Sequence, residues 1–325
     1  MGGKRYSLEE SNMKIGILFP GQGSQHVGMG QDLYNSSEAV RKKFKEADQL
    51  LGYNLTDIIL NGPTEELTLT KHAQPSIFLV SIAFLMTLQE MGIQAQVFAG
   101  HSLGELTAYH AANVLSFEDT LTLIKIRGEE MNRASQKTAS SMAAIMKLSP
   151  EKIQSVINPL ANAPVVIANY NCPGQTVISG EKKALSEACD LLKQAGARVI
   201  PLPVSGAFHS PLMAPAKTAL EKKLKAYTLS DASTPIVLNR TAEETLSSHS
   251  LTKNLPEQVT SPVRWTDSIQ AISNRQVDLL IECGPGKVLA GLAKKITSSI
   301  DTIISINSLE SLEKARHIVL SKKES

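Results

Sequence analysis

The chain of 325 residues has little cysteine, few aromatic residues and no excess of either charge. Its three cysteines, Cys172, Cys189 and Cys283, are odd in number and widely separated, which argues against a disulfide framework or a structural zinc site. The 33 basic and 31 acidic residues leave a net charge of +2, which gives no electrostatic footprint for nucleic acid. We therefore expect a protein of a reducing compartment that binds no nucleic acid and no metal.

Long apolar runs are also missing. The longest, Ile77–Met86, is too short to cross a bilayer and is typical of a core helix. The polar start, Met1–Met13, lacks the apolar segment of a secretory signal, and Glu9 and Glu10 argue against a transit peptide. These features predict a cytoplasmic protein with no membrane association, in which residues 1–13 form a disordered tail.

Predicted strands and helices alternate along most of the chain. Strand Lys14–Phe19 leads into a glycine-punctuated loop, and helical periodicity follows over Ser36–Leu51 and Gln74–Met91. A short strand, Val97–Gly100, precedes a helix, Leu103–Ala112. Such alternation favours a mostly parallel sheet with helices on its faces.

The middle of the chain follows a different order. Between Met142 and Leu202 the pattern predicts β-α-β-β-α-β, the ferredoxin-like arrangement. We therefore predict an α/β fold in which a ferredoxin-like small domain, residues 138–205, is inserted into a larger domain. The larger α/β domain would comprise residues 14–137 and 206–325.

The clearest chemical signal is a G-x-S-x-G pattern centred on Ser102. Gly100 and Gly104 flank it, and it lies between a predicted strand and a predicted helix, which is the setting of a nucleophile elbow. A tight turn there exposes the Ser102 hydroxyl and directs helix N–H groups at a developing oxyanion. An ordinary glycine-bounded turn is the alternative, and the flanking elements favour the nucleophile.

A serine nucleophile needs a base, and His209 is the candidate. It lies in a loop directly before a predicted helix, Pro211–Ala226, where a rigid scaffold can hold an accessible ring. On the residue pattern alone, a solvated loop histidine is the slightly favoured alternative. His101 adjoins the nucleophile but is expected to point away from it.

Arg127 borders the apolar face of the predicted helix Phe117–Ala134. An arginine there must either find an anion or extend to water. A substrate carboxylate would satisfy the guanidinium in bidentate fashion. Local pairing with Glu129 or Glu130 explains the residue equally well.

Seven segments, in order and in register, resemble the malonyl-CoA:acyl carrier protein transacylase family. They are Phe19–Gln25, Gly100–Glu105, Arg127–Gly128, Ala168–Asn171, Gly206–Ser210, Pro262–Trp265 and Glu282–Leu289. The resemblance spans the chain from Lys14 to about Leu309, and the family's hydrolase-like core with a ferredoxin-like insert agrees with the predicted fold.

The resemblance implies a role for each matching residue. Ser102 would be acylated, His209 would be its base, and the N–H groups of Gln22 and Leu103 would form the oxyanion hole. The substrate-binding residues would be Arg127, which grips the malonyl carboxylate, together with Gln258, Met131 and Phe208. The backbone carbonyl of Gln258 would also help place the base, in a Ser-His dyad without a carboxylate. Phe208 would leave little room for an α-methyl branch.

The function implied is malonyl transfer from malonyl-CoA to the phosphopantetheine thiol of holo acyl carrier protein, by a ping-pong cycle that supplies fatty acid synthesis. The resemblance implies no cofactor, since the coenzyme A thioester is a substrate, and a monomer as the family tendency.

Two other functions are weighed against transfer. A serine esterase or thioesterase on the same scaffold would use an acid between Ser102 and His209, but Asp119 and Asp190 lie on predicted helices rather than after strands. A carrier-docking module without chemistry would not need Ser102, His209 and Arg127 together.

Overall fold

The computed structural model describes residues 13–160, 165–204 and 206–321. The predicted tail lies outside these residues except for Met13, which is buried. The strands of the described part are β1 (Ile15–Phe19), β2 (Val97–Gly100), β3 (Ser140–Met146), β4 (Val166–Cys172), β5 (Gln175–Glu181), β6 (Arg198–Pro201), β7 (Ile236–Val237), β8 (Glu244–Thr245), β9 (Leu279–Cys283) and β10 (Thr302–Ile306). The helices are α1 (Gln31–Ser36), α2 (Glu38–Leu51), α3 (Leu55–Asn61), α4 (Thr64–Thr68), α5 (Thr70–Glu90), α6 (Leu103–Ala111), α7 (Phe117–Lys137), α8 (Pro150–Ile157), α9 (Lys182–Gln194), α10 (Ala214–Leu224), α11 (Ser248–Glu257), α12 (Trp265–Asn274), α13 (Val288–Ile296) and α14 (Leu309–Ser321).

A six-stranded sheet carries the larger part of the fold. Its order is β10-β9-β1-β2-β7-β8, and every pairing is parallel except that of the edge strand β8 with β7. Strand β1 reads Ile-Gly-Ile-Leu-Phe and is buried throughout, as expected for a central parallel strand covered by helices on both faces. The predicted mostly parallel α/β core is confirmed.

The second sheet is antiparallel, with the order β4-β5-β3-β6. Its strands and the helices α8 and α9 follow one another as β-α-β-β-α-β, which confirms the predicted ferredoxin-like arrangement. Its own apolar cluster, which includes Ile145, Ile153, Ile178 and Leu192, fills the space between this sheet and its two helices.

The central helix α5 is apolar on nearly all sides. By length and composition it could cross a membrane, but 83% of its most apolar window is buried inside the protein. It packs against α7 and α6 within the main apolar cluster. The segment Ile77–Met86 is therefore a core helix, as predicted from its length.

Two predicted helices differ in detail from the structure. The predicted helix Ser36–Leu51 begins at Glu38 instead, because Ser37 has an extended backbone and its side chain caps α2 by accepting a hydrogen bond from the Val40 N–H. The predicted helix from Pro211 begins as a short 3₁₀ turn, Pro211–Met213, and becomes α-helical at Ala214. Both changes lie at helix starts, where local capping decides the boundary.

Candidate active site

Ser102 occupies a strained turn between β2 and α6. Its φ of 55° and ψ of −107° are unusual for a residue with a side chain. A Cβ on Gly100 would lie 1.9 Å from the Gly104 backbone, and a Cβ on Gly104 would lie 2.1 Å from the Phe19 carbonyl oxygen. The two glycines are therefore required for the turn to close against β1.

His209 faces the hydroxyl of Ser102. Its Nε2 lies 2.7 Å from Ser102 Oγ, and its Nδ1 lies 3.1 Å from the Gln258 carbonyl oxygen and 3.0 Å from that of Ser261. Because carbonyl oxygens can only accept, Nδ1 carries the proton and Nε2 is free to accept one from the serine. The geometry is that of a nucleophile with its base.

The surroundings of His209 favour the neutral imidazole. Burial, and then the charge of Arg127, lower the pKa of His209 from 6.5 to about 3. The two backbone carbonyls act in the opposite direction but are weaker. The ring is therefore neutral and able to accept a proton throughout the physiological range.

Arg127 projects from α7 and is almost completely buried. Its Nη1 donates to Gln74 Oε1 at 2.8 Å, and its Nη2 donates to Gln258 Oε1 at 2.9 Å and to Ser102 Oγ at 3.1 Å. All three acceptors are neutral, and Arg127 forms no ion pair with any residue in the described ranges. Burial lowers the pKa of Arg127 to about 10, and the more distant Glu105 opposes that shift. A buried cation without a counter-ion would be stabilised by an anionic ligand.

The expected oxyanion donors lie on either side of the elbow. Leu103 is the first residue of α6, so its N–H has no acceptor within the helix. The loop that carries Gln22 packs closely against the elbow, since a Cβ on Gly21 would lie 2.4 Å from the His101 carbonyl oxygen. Both residues are thus next to the nucleophile.

A cavity of about 270 Å³ opens beside Ser102 and His209. The six-stranded part contributes Gln22, Phe208 and Met131 to its lining, and the four-stranded sheet contributes other residues, among them Met142, Ala144, Asn169, Asn171 and Val177. Arg127, Leu103 and Gln258 do not line it themselves; Arg127 adjoins it through its bonds to Ser102 and Gln74. The cavity therefore lies between the two sheets.

His101 turns away from the nucleophile, as predicted. Its Nε2 lies 3.0 Å from Asn171 Oδ1, and its ring packs against Trp265. Neither candidate acid for a triad reaches His209: Asp119 bonds to Ser116 at the start of α7, and Asp190 pairs with Lys193 on α9. In the described part of the chain, then, carbonyls and not a carboxylate orient the base, and no group of His, Cys, Asp and Glu could hold a metal ion.

Sequence reasoning missed several polar residues of this site. Gln74, which holds Arg127, was counted only as the start of a helix, although an amide within an apolar helix is a signal of its own. Asn239 was not considered, although it directly follows β7 at the carboxyl end of a parallel strand, where functional side chains gather. Glu105 was quoted only as part of the motif.

The acyl transferase domain family matches residues 17–320 of the chain. The malonyl CoA-acyl carrier protein transacylase of Bacillus subtilis (strain 168) is 44% identical over 305 residues, which cover 93% of this chain and 96% of that protein. The protein of the same name from Haemophilus influenzae is 38% identical over 302 residues, covering 92% and 96% of the two chains.

Solved structures share the fold. A complex of a type II PKS acyl-carrier protein with its malonyl-transacylase matches with a TM-score of 0.91 and 36% identity, covering 94% of this chain and 99% of that chain. The acyl-carrier-protein-S-malonyltransferase of Bartonella henselae matches with a TM-score of 0.90 and 38% identity, again covering 94% and 99%.

Proposed function

The chain belongs to the acyl transferase domain family, and we propose that it transfers a malonyl group from malonyl-CoA to the phosphopantetheine thiol of acyl carrier protein, in support of fatty acid synthesis. Ser102 is the nucleophile and His209 is its base. One observation carries this proposal: a strained, base-paired serine hydroxyl also contacts a buried guanidinium that has no carboxylate partner. A nucleophile beside an unpaired cation fits an acyl group that bears its own carboxylate.

The first half-reaction acylates Ser102. As Oγ attacks the thioester carbonyl carbon, its proton passes to His209 Nε2, which lies 2.7 Å away. The N–H groups of Gln22 and Leu103 stabilise the oxyanion, a contribution of roughly 3–4 kcal/mol per donor. The C–S bond then breaks, and the imidazolium returns the proton to the departing coenzyme A thiolate.

The second half-reaction moves the acyl group to the carrier. The phosphopantetheine thiol gives its proton to His209 while its sulfur attacks the ester carbonyl. Collapse of the tetrahedral intermediate breaks the bond to Ser102 Oγ, and the proton returns to that oxygen. No group outside the site is needed to balance either step.

Arg127 selects malonyl, and the neutralisation of its charge by the malonyl carboxylate strengthens the base. In the free protein its charge contributes to the low pKa of His209, after burial. A malonyl carboxylate on the guanidinium neutralises that charge, so the pKa of His209 rises and the ring becomes a better proton acceptor. An acetyl group provides no such neutralisation.

The remaining residues shape the acyl pocket. Phe208 and Met131 line the cavity with apolar surface, and Phe208 restricts substituents on the α-carbon. Gln258 has two tasks, since its side chain bonds Arg127 and its carbonyl faces His209. We also propose that residues 138–205 form a small domain and residues 14–137 with 206–325 a large one, so that the substrate enters between them.

The partners are malonyl-CoA and holo acyl carrier protein. Coenzyme A enters as part of the substrate, so neither of the two proposed half-reactions uses a cofactor. We propose a cytoplasmic location, in line with the composition, and a monomer, which is the tendency of the family that the chain resembles.

Intact mass spectrometry after brief exposure to malonyl-CoA tests the proposal. The wild type is expected to gain one malonyl group, with a much weaker adduct from acetyl-CoA, and Ser102→Ala is expected to gain none. Steady release of coenzyme A without an adduct would instead indicate a hydrolase. An adduct that persists in Ser102→Ala would exclude Ser102 as the nucleophile.

A further inference from the structure

Asn239 bridges the two sides of the nucleophile elbow. Its Oδ1 accepts a hydrogen bond from the Ser102 N–H at 2.7 Å, and its Nδ2 donates to the Gly100 carbonyl oxygen at 2.6 Å. Since one partner is a donor and the other an acceptor, the orientation of the amide is fixed by its neighbours. Asn239 is completely buried.

The fold places Asn239 beside the turn. Strands β2 and β7 are parallel neighbours, with Phe98 opposite Ile236 and Ala99 opposite Val237. Continued past the strand ends, this register brings Asn239 next to the elbow. The position is long-range in sequence, 137 residues from Ser102.

Glu105 in turn holds Asn239. Its Oε2 accepts from the Asn239 N–H at 2.5 Å, and its Oε1 accepts from Asn254 Nδ2 at 2.7 Å. Glu105 lies in the first turn of α6, the helix that begins directly after Ser102. Hydrogen bonds therefore link the elbow to Asn239 and Asn239 to Glu105, next to the strained residue Ser102.

These hydrogen bonds stabilise a turn that is unfavourable by itself. A residue other than glycine at positive φ persists only where its surroundings enforce that conformation. A buried N–H also requires an acceptor, and the Ser102 N–H finds it in Asn239 rather than in the substrate cavity. The direction of Ser102 Oγ, and so its 2.7 Å contact with His209, depends on this backbone.

We propose that Asn239, held by Glu105, is a positioning residue for acyl transfer, which fixes the backbone of Ser102 so that its hydroxyl meets both His209 and the thioester carbonyl. This inference rests on the proposed function. It adds two residues that touch no reacting atom and act through the nucleophile's main chain.

The test measures acylation by rapid quench and intact mass, which gives a rate constant and a final amplitude at several malonyl-CoA concentrations. Asn239→Ala removes both bonds. Asn239→Asp keeps the size and an acceptor but replaces the donor to Gly100, and it serves if the alanine variant does not fold. Each should lower the rate constant roughly 10- to 100-fold, as small misplacements of a reacting group do. The amplitude and the half-saturating malonyl-CoA concentration should stay near wild-type values.

Glu105→Gln is the conservative partner variant. Its amide oxygen can still accept from the Asn239 N–H, and Asn254 can turn to present its Oδ1, which is buried and has no partner. We expect its acylation rate constant to remain within about threefold of wild type, whereas Glu105→Ala should lose 10-fold or more, because a hydrogen bond and not the charge holds Asn239.

Asp48→Ala is the control for loss of two side-chain hydrogen bonds, here partly buried ones, away from the site. Asp48 accepts two bonds from Thr56 on the neighbouring helix α3, and no residue of α2 lines the cavity. This variant should lose thermal stability without any change in the acylation rate constant.

Several results would overturn the proposal. Asn239 variants that acylate at the wild-type rate with full amplitude, or at that rate with reduced amplitude, would reveal no role or a purely structural one. A wild-type rate constant in Glu105→Ala would exclude a role for Glu105, and equal losses in Glu105→Gln and Glu105→Ala would contradict the claim that a hydrogen bond and not the charge holds Asn239. A wild type that malonyl-CoA fails to acylate would instead contradict the proposed function itself, and the inference with it.

Discussion

Ser102 contacts both His209 and Arg127, and the other hydrogen-bond partners of those two buried side chains are neutral amides and carbonyls. Neutral neighbours leave the histidine uncharged and the arginine without a counter-ion. The same surroundings therefore provide a proton acceptor and a place for an anionic acyl group.

Arg127→Ala should affect transfer from malonyl-CoA much more than transfer from acetyl-CoA. Malonyl transfer loses a buried, charge-assisted contact, so its rate should fall roughly 100-fold. Acetyl transfer makes no such contact and should change far less. Initial rates with both thioesters measure the ratio, and equal losses for the two donors would contradict the carboxylate role.

His209 should make stability depend on pH. Its folded pKa of about 3 lies below its unfolded value of 6.5, so the unfolded chain binds more protons between these values. The free energy of unfolding should therefore fall as the pH decreases from 6.5 towards 3, and this contribution should be complete above 6.5.

The matched variant is His209→Gln, which cannot titrate. Denaturant unfolding at several pH values should show a shallower slope in this variant than in the wild type. Some slope should remain, because burial also lowers the pKa of His72, His101 and His110. Identical slopes in the two proteins would mean that His209 is not neutralised by burial.

Local sequence was enough to find Ser102, since the two glycines and the flanking elements lie within a few residues of it. Neither Asn239 nor Gln74 has such a signal. Their roles arise when β7 comes to lie beside β2 and α5 beside α7, contacts between segments far apart in the chain. His209 and Arg127 remained ambiguous from residue patterns for the same reason, and only the family resemblance assigned them roles.

At the scale of elements, the elbow depends on how closely α6 approaches β1. The strands and the longer helices of the first 200 residues follow from apolar spacing and were predicted with shifts of a few residues at the ends, whereas the short helices α1, α3 and α4 were not predicted. The four helices α11 to α14 were not predicted. Pro256 lies within α11, where a proline usually ends a helix.

A pair of glycine substitutions tests the close approach. Gly104 and Gly291 both lie in helices. A Cβ added to Gly104 would lie 2.1 Å from the Phe19 backbone, whereas a Cβ added to Gly291 would have no neighbour within 4 Å. Gly104→Ala should lower the free energy of unfolding by about 3 kcal/mol or more, because backbone cannot yield. Gly291→Ala should raise it by roughly 0.5–1 kcal/mol through helix propensity.

Denaturant titration of both variants gives these free energies. A Gly104→Ala protein as stable as the wild type would mean that α6 can move away from β1, and the elbow would then not be held as described.

For the whole molecule, the arrangement of two sheets explains why the substrate cavity could not be predicted from sequence. Each sheet was foreseeable from its own pattern of strands. The cavity, however, is lined by residues of both, from Gln22 after β1 to Val177 in β5. How two units pack depends on the shapes of their surfaces, which periodicity does not encode.

The fate of the malonyl group on Ser102 distinguishes a transferase from a hydrolase. Wild-type protein is acylated with labelled malonyl-CoA, freed of excess donor, and mixed with holo acyl carrier protein or with buffer alone. For a transferase, the label is expected to appear rapidly on the carrier thiol and to be lost slowly in buffer. Release of the label as free malonate at the same rate in both mixtures would show a hydrolase instead.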